Sequence, residues 1–450
     1  MPTSHRSKVF GLQPEHGEGQ QDAYAEQARI RDDRYVWHPW SPVGASNGRL
    51  MAARASGHRL WDISGTEYID ASSLNLTCGY GHAAVIEAAS RQLGVLHGVD
   101  LSVHDQEMAG LLAERLAGHL PAGLSRILFS NSGSEGIEAS CFIAASYWAH
   151  LGEPRTRIVT FARGYHGSTT LARTLSGLPP TAHGFVSPLR VAAVTLPAAD
   201  RVVRDPAYTP ELLAAFAQAI DDDPSDPPMA VLVEPLINVG GGIVLPRGFL
   251  RGLRDLCDSR RVLLIIDEVF TGIGRTGRMF GFEHEEIEPD IVVSSKGLSG
   301  GYAPLAAVAV QERIYQTFKD DPLIGGLRYG HTTSGHAVAC AVGLAVLDVV
   351  EEDGLVKRSC ELGVRLLDGL TPLAGTYGVL DVRGLGLLAI LELADQDSAG
   401  ALVDAARRHH LLLRQQGAVV MVVPPLTVDA EVIDDIVTRL GAAVRENGSE

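Results

Sequence analysis

Pro289-Asp290-Ile291-Val292-Val293-Ser294-Ser295-Lys296-Gly297-Leu298 decides how this chain reads. A short apolar run bounded by turn residues marks a buried strand, and this one ends at a lysine. The chain has only four lysines, at positions 8, 296, 319 and 357, against 34 arginines. Ordinary positive charge is therefore made with arginine. A lysine at the mouth of a buried strand points to work that guanidinium cannot do. Only an amine that can lose its proton condenses with a carbonyl, and desolvation favours that neutral form. An isolated lysine of this kind reads more simply as a strand-end residue whose head reaches water. Lys296 is not isolated.

Upstream, Arg261-Val262-Leu263-Leu264-Ile265-Ile266-Asp267-Glu268-Val269 is a second continuous apolar strand, ending in two acids. Such runs mark parallel strands buried on both faces, and ligands bind beyond their carboxyl ends. An acid there can hold a protonated ring nitrogen, which is what pyridoxal phosphate needs to act as an electron sink. Taken alone, Asp267 or Glu268 reads as a cap on the following loop.

A third signal suits a phosphate. The strand Ile127-Leu128-Phe129-Ser130 runs into Asn131-Ser132-Gly133-Ser134-Glu135-Gly136, and apolar residues then recur with helical spacing through Ile137, Cys141, Ala144 and Trp148. Small residues at a helix start expose backbone N–H groups to an anion, although a Ser-Gly-Ser turn alone reads as a plain N-cap. Beyond the strand Arg157–Phe161 come Tyr165 and His166, an aromatic placed where it can stack on a pyridine ring.

Together these segments resemble the class III pyridoxal-phosphate aminotransferases, the ω-aminotransferase group of fold type I, from about Trp37 to the C-terminal helices. Phe129–Glu135 is similar to the family's phosphate cup, and Asp267-Glu268-Val269-Phe270-Thr271-Gly272-Ile273-Gly274-Arg275-Thr276-Gly277 to its most diagnostic stretch. The resemblance implies an α/β fold, with a large, mostly parallel-sheet domain over residues 81–325 and a smaller α+β C-terminal domain over 326–450. Residues 1–80 would supply an N-terminal arm and a segment of the small domain. It implies pyridoxal 5'-phosphate as cofactor, with Lys296 as the attachment and proton-transfer residue and Asp267 on the ring nitrogen. Val269 and Tyr165 would cover the two ring faces, and Ser132, Gly133 and Ser134 would bind the phosphate. His166 and Glu234 would lie beside the cofactor.

Gly330-His331-Thr332-Thr333 looks like the loop whose threonine, here Thr332, reaches the phosphate of a neighbouring subunit, which implies a homodimer with shared active sites. Arg383, in Val382-Arg383-Gly384-Leu385-Gly386-Leu387, matches an arginine that grips a substrate carboxylate in many members. Trp40, Leu74, Asn75 and Gly330 are the other substrate-side positions. Val239 stands where ornithine and γ-aminobutyrate aminotransferases carry a gating glutamate, which argues against those two activities. Leu74-Asn75 replaces an aromatic pair of the biotin-pathway enzyme.

Composition bounds the rest. A net charge of −16 argues against nucleic acid and anionic membranes as partners. The five cysteines have no metal-binding spacing and an odd count, which fits reduced thiols and a cytoplasmic protein. The expected function is a ping-pong transaminase taking small-molecule amine and carbonyl substrates. The resemblance implies an amino acid or ω-amine as donor and a ketone or aldehyde as acceptor, with secondary metabolism, through an amino sugar or antibiotic intermediate, as the alternative setting. A racemase, aminomutase or decarboxylase shares the fold and motifs and stays open, whereas the intact Lys296–Asp267 pair argues against a non-enzymatic cofactor-binding protein.

Overall fold

The structure is a computed structural model that describes residues 18–43, 48–182, 184 and 186–448. Its centre is a seven-stranded sheet. In spatial order the strands are Arg190–Val194, Arg157–Phe161, Pro228–Val233, Leu263–Asp267, Ile291–Ser294, Ala306–Val310 and Arg126–Ser130. Ala306–Val310 runs antiparallel to both neighbours, and the remaining neighbouring pairs are parallel. The two strands singled out from sequence lie side by side, with Asp267 in register with Val293. Their continuous apolar runs follow from position, because both are buried along their whole length.

Helices cover the sheet. Gly133–His150 starts at Ser132, whose Oγ accepts from Glu135 N at 3.3 Å, and it buries Ile137, Cys141, Ala144 and Trp148 on one face. Ala337–Glu352 is apolar almost all round and buried accordingly. A hairpin turning at Ser64-Gly65 pairs Arg59–Asp62 with Glu67–Asp70. Asp62 Oδ1 fixes its turn by accepting from Ser64 N and Thr66 N. Leu411–Leu412 then joins Glu67–Asp70 in parallel, so the N-terminal segment shares a sheet with the C-terminal part of the chain. A separate antiparallel sheet is built from Asp381–Gly384, Ala389–Glu392, Val419–Val422 and Arg414–Gln416.

Within the N-terminal segment Glu18–Tyr35 is a helix; residues 1–17 lie outside the described residues. Polar side chains all round hid the period that would have marked it.

Candidate active site

Lys296 follows the strand Ile291–Ser294 at the first position of a short 3-10 turn, with φ 27°, a region that side-chain-bearing residues rarely adopt. Two hydrogen bonds hold this turn from outside: Thr77 Oγ1 donates to Gly297 O at 2.9 Å, and Ser295 Oγ donates to Leu305 O at 2.8 Å. The lysine lines a cavity and so keeps some accessible surface. Protein nevertheless surrounds it closely enough that burial pushes its pKa down, against the opposing pull of Asp267 and Glu234. The positive charge of Arg414 pushes the same way as burial.

Asp267 ends the adjacent strand and is 5% exposed. Its Oδ2 lies 2.8 Å from His166 Nδ1, and its Oδ1 accepts from Val269 N at 3.0 Å. His166 is buried, and its Nε2 lies 3.1 Å from Thr160 Oγ1. The imidazole therefore fixes the carboxylate's orientation. Glu234, at the end of the next strand, accepts from Tyr165 N and Asn238 N, each at 3.1 Å. Burial pushes its pKa up to about 7.

The two acids that end one strand have different jobs. Glu268 accepts from Thr271 Oγ1 at 2.5 Å, Gly281 N at 2.9 Å and Phe282 N at 2.8 Å. It clamps the following loop, and Asp267 alone faces the cavity.

Across the cavity lies the helix start at Gly133. A Cβ added there would come within 2.9 Å of both Val269 methyl groups, so glycine permits the helix end to approach the Asp267 loop. Ser134 Oγ accepts from Ser168 N at 3.1 Å, which ties this helix end to the loop carrying Tyr165. The Tyr165 ring meets Trp40 edge to face at 6.2 Å.

The cavity, of about 460 Å³, brings Ser132, Gly133, Ser134, Tyr165, His166, Glu234, Asp267, Val269, Lys296 and Asn75 together. Its contents fit pyridoxal phosphate on chemical grounds. They comprise an anion-binding helix end, an amine with a depressed pKa, a buried carboxylate held by an imidazole, and an aromatic beside them. Trp40 touches the site through Tyr165, and Leu74 packs in the apolar cluster around Phe270 just behind it. Gly330 and Thr332 are exposed and do not line the cavity of this chain.

The structure turns Arg383 away from the cavity. Its side chain is 1% exposed, and four of its N–H groups are committed. Nε donates to Gly242 O at 2.8 Å and Nη2 to Gly241 O at 2.7 Å, while Nη1 serves Asp381 at 2.9 Å and Glu392 at 2.6 Å. It lies outside the cavity lining and fastens the glycine turn behind Val239. Motif resemblance located the residue but could not show which way its side chain points.

Two residues escaped the sequence reading. Arg414 has no acidic partner among the described residues, and its charge acts on both Lys296 and Tyr165. The available signal was Arg414-Gln415-Gln416 just before an apolar strand, but in an arginine-rich chain lack of a partner is visible only in three dimensions. Asn238 lines the cavity at 1% exposure, and its Oδ1 has no hydrogen-bond partner among the described residues.

Comparison with known proteins agrees with this geometry. The family model "Aminotransferase class-III" matches residues 41–444. The chain is 35% identical over 373 residues to a β-alanine–pyruvate aminotransferase of Pseudomonas aeruginosa, covering 80% of this chain and 83% of that one. It is 37% identical over 399 residues to an adenosylmethionine-8-amino-7-oxononanoate aminotransferase of Nitratidesulfovibrio vulgaris, covering 84% and 72%. An (S)-enantioselective ω-transaminase from Thermomicrobium roseum superposes with a TM-score of 0.89 at 30% identity, covering 94% and 98%. A PLP-bound amine transaminase from an uncultivated Pseudomonas species gives 0.86 at 32%, covering 92% and 99%. With that fold and a lysine, an acid and an anion cradle in one cavity, the chain belongs to the class III aminotransferases, which are pyridoxal-phosphate-dependent enzymes.

Proposed function

We propose that the enzyme transfers an amino group from an ω-amino acid or amine to a keto acid by a ping-pong reaction, with Lys296 as proton carrier and Arg414 as carboxylate receptor. The observation that carries this reading is the depressed pKa of Lys296 in the same cavity as the Asp267–His166 pair. Bound cofactor supplies the electron sink. Lys296 Nζ takes the proton from the substrate carbon that bears nitrogen and returns one to the acceptor carbon. Asp267, oriented by His166, keeps the ring nitrogen protonated. The anion cradle at Ser132–Ser134 takes the phosphate, and Tyr165 and Val269 confine the ring.

Arg414 is the carboxylate receptor because it is the guanidinium near Lys296 that lacks a counter-ion. Val239 lines the cavity without an acid to neutralise it. The β-alanine–pyruvate activity of one relative supports an ω-amino acid paired with a keto acid. Support for a setting in secondary metabolism comes from the changed substrate-side residues Trp40 and Leu74-Asn75 and from the arginine-rich composition.

The functional unit in this reading is a homodimer in which Thr332 and Gly330 complete the partner's site, since both stand exposed away from their own cavity. Cytoplasmic residence follows from five unpaired cysteines, four of them buried. No helix of the described residues is long and apolar enough to cross a membrane. A panel of amines, ω-amino acids and α-amino acids, assayed with and without pyruvate, tests the proposal. Conversion of the bound cofactor to its amine form by ω-amino donors, reversed by pyruvate, is expected. Turnover without any keto acid would instead indicate a racemase, aminomutase or decarboxylase.

A further inference from the structure

The loop that carries Thr332 is seated on the phosphate-cup helix of its own chain. Thr333 Oγ1 donates to Asn131 Oδ1 at 2.8 Å, and Asn131 lines the cavity immediately before Ser132. Tyr329 OH donates to Glu135 O at 3.1 Å, and its ring lies 5.6 Å from that of Phe142 on the same helix. Hydrogen bonds across the loop close it into a turn. His331 N donates to Ser334 Oγ at 3.0 Å, Ser334 N to His331 O at 2.9 Å and His336 N to Thr333 O at 3.2 Å.

The seat is itself held. Glu135 Oε2 accepts from Asn131 N at 2.7 Å and from Asn131 Nδ2 at 3.2 Å. This carboxylate closes the first turn of the helix and turns the Asn131 amide so that its oxygen meets Thr333. Thr332 lies between the two pegs, Tyr329 and Thr333. It is exposed, stands outside the lining of its own cavity and makes no side-chain hydrogen bond among the described residues. Its placement therefore comes from the pegs on either side. A group that acts across a subunit boundary contributes most when its own chain has already ordered it, because the ordering entropy is then not lost on contact. Resting on the reading that Thr332 completes the partner's phosphate cup, we infer that Thr333, through Asn131, positions the threonine that each subunit lends to the other. The cup of one subunit is then the mounting for part of the cup of its partner.

The test uses hybrid dimers of full-length subunits carrying different tags. One subunit reports, and its partner carries Lys296→Ala, so the visible absorption of lysine-bound cofactor comes from the reporting subunit alone. Loss of that absorption during dialysis gives the rate of cofactor release. Thr333→Val in the Lys296→Ala subunit should speed release about threefold to tenfold, the worth of one hydrogen bond. Thr333→Ser, which keeps the hydroxyl, should leave the rate unchanged, and Thr333→Val in the reporting subunit should have a smaller effect. Should the valine hybrid fail to assemble, Tyr329→Phe in the Lys296→Ala subunit removes only the hydroxyl that grips Glu135 O and carries the same expectation. Thr332→Ala in that subunit tests the shared cup by itself. Faster release with Thr332→Ala but not with Thr333→Val overturns the inference and leaves the shared cup standing. No effect of either overturns both, and an effect of Thr333→Val alone would show that it does not act through Thr332. An equal or larger effect in the reporting subunit would make Thr333 a prop of its own cup. Serine behaving like valine would assign the effect to packing. Each of these also overturns the inference.

Discussion

Replacing Arg383 with methionine separates an anchor from a substrate clamp. Methionine keeps much of the length and the apolar stem but removes all five N–H donors. In the structure that change strips Gly241 O and Gly242 O of their donors and takes one cation from Asp381 and Glu392. Asp381 keeps a bidentate pair with Arg204 at 2.7 and 2.9 Å, and Glu392 keeps Arg201 at 3.6 Å. Neither acid is left wholly unpaired, so the loss should sit at the low end of the range for breaking a buried ion pair, about 3 kcal/mol. Thermal unfolding of the holoenzyme should fall clearly. Because the glycine turn supports Asn238 and Val239, activity should drop by a similar factor for keto acids and for aldehydes without a carboxylate. The assay is a pair of kcat/KM values, one for pyruvate and one for an uncharged aldehyde, beside the melting curve. A variant with wild-type stability and a KM raised only for pyruvate would refute this account and restore Arg383 as the clamp.

The complementary change, Arg414→Ala, should raise KM for pyruvate about tenfold to a hundredfold, the value of one charge-assisted contact, and leave the aldehyde nearly unaffected; steady-state kinetics check this. Asp267→Asn keeps shape without charge and should slow the half-reaction at least about a hundredfold, as read by stopped-flow absorbance. Thr332→Ala should weaken both cofactor retention and dimerisation, and full activity in a monomer by sedimentation would exclude the shared site. Glu268, pushed up to about 7 by burial, binds a proton on folding between roughly pH 4.5 and 7. Its contribution to stability is therefore complete at lower pH and is lost as pH rises through that window, by at most about 1.4 kcal/mol per pH unit. Glu268→Gln should flatten that slope in unfolding measured against pH.

Legibility in the sequence followed burial. Lys296 and Asp267 were readable because a strand covered on both faces must be apolar throughout, which leaves the polar residue at its end conspicuous. Ser132–Ser134 were readable because an anion-binding helix start needs small residues locally. The Glu268 clamp was open in the sequence, since its three donors come from residues 271, 281 and 282 and only folding shows that they converge. Arg383 drew an expectation and Arg414 drew none for the same reason. Both are strand arginines near glycines, and what separates them is the presence of Asp381, Glu392 and two carbonyls around one, and of no acid around the other. Asn238 carried no local signal, because an unpaired amide is a property of its surroundings.

The central claim is that Lys296, with its pKa held down by burial, is the residue to which the cofactor is attached. Borohydride reduction of the yellow holoenzyme followed by peptide mapping tests it directly. The reduced cofactor should sit on the peptide containing Ser294-Ser295-Lys296-Gly297, with no label in Lys296→Ala. Label on Lys8, Lys319 or Lys357, or none on any lysine, would contradict it.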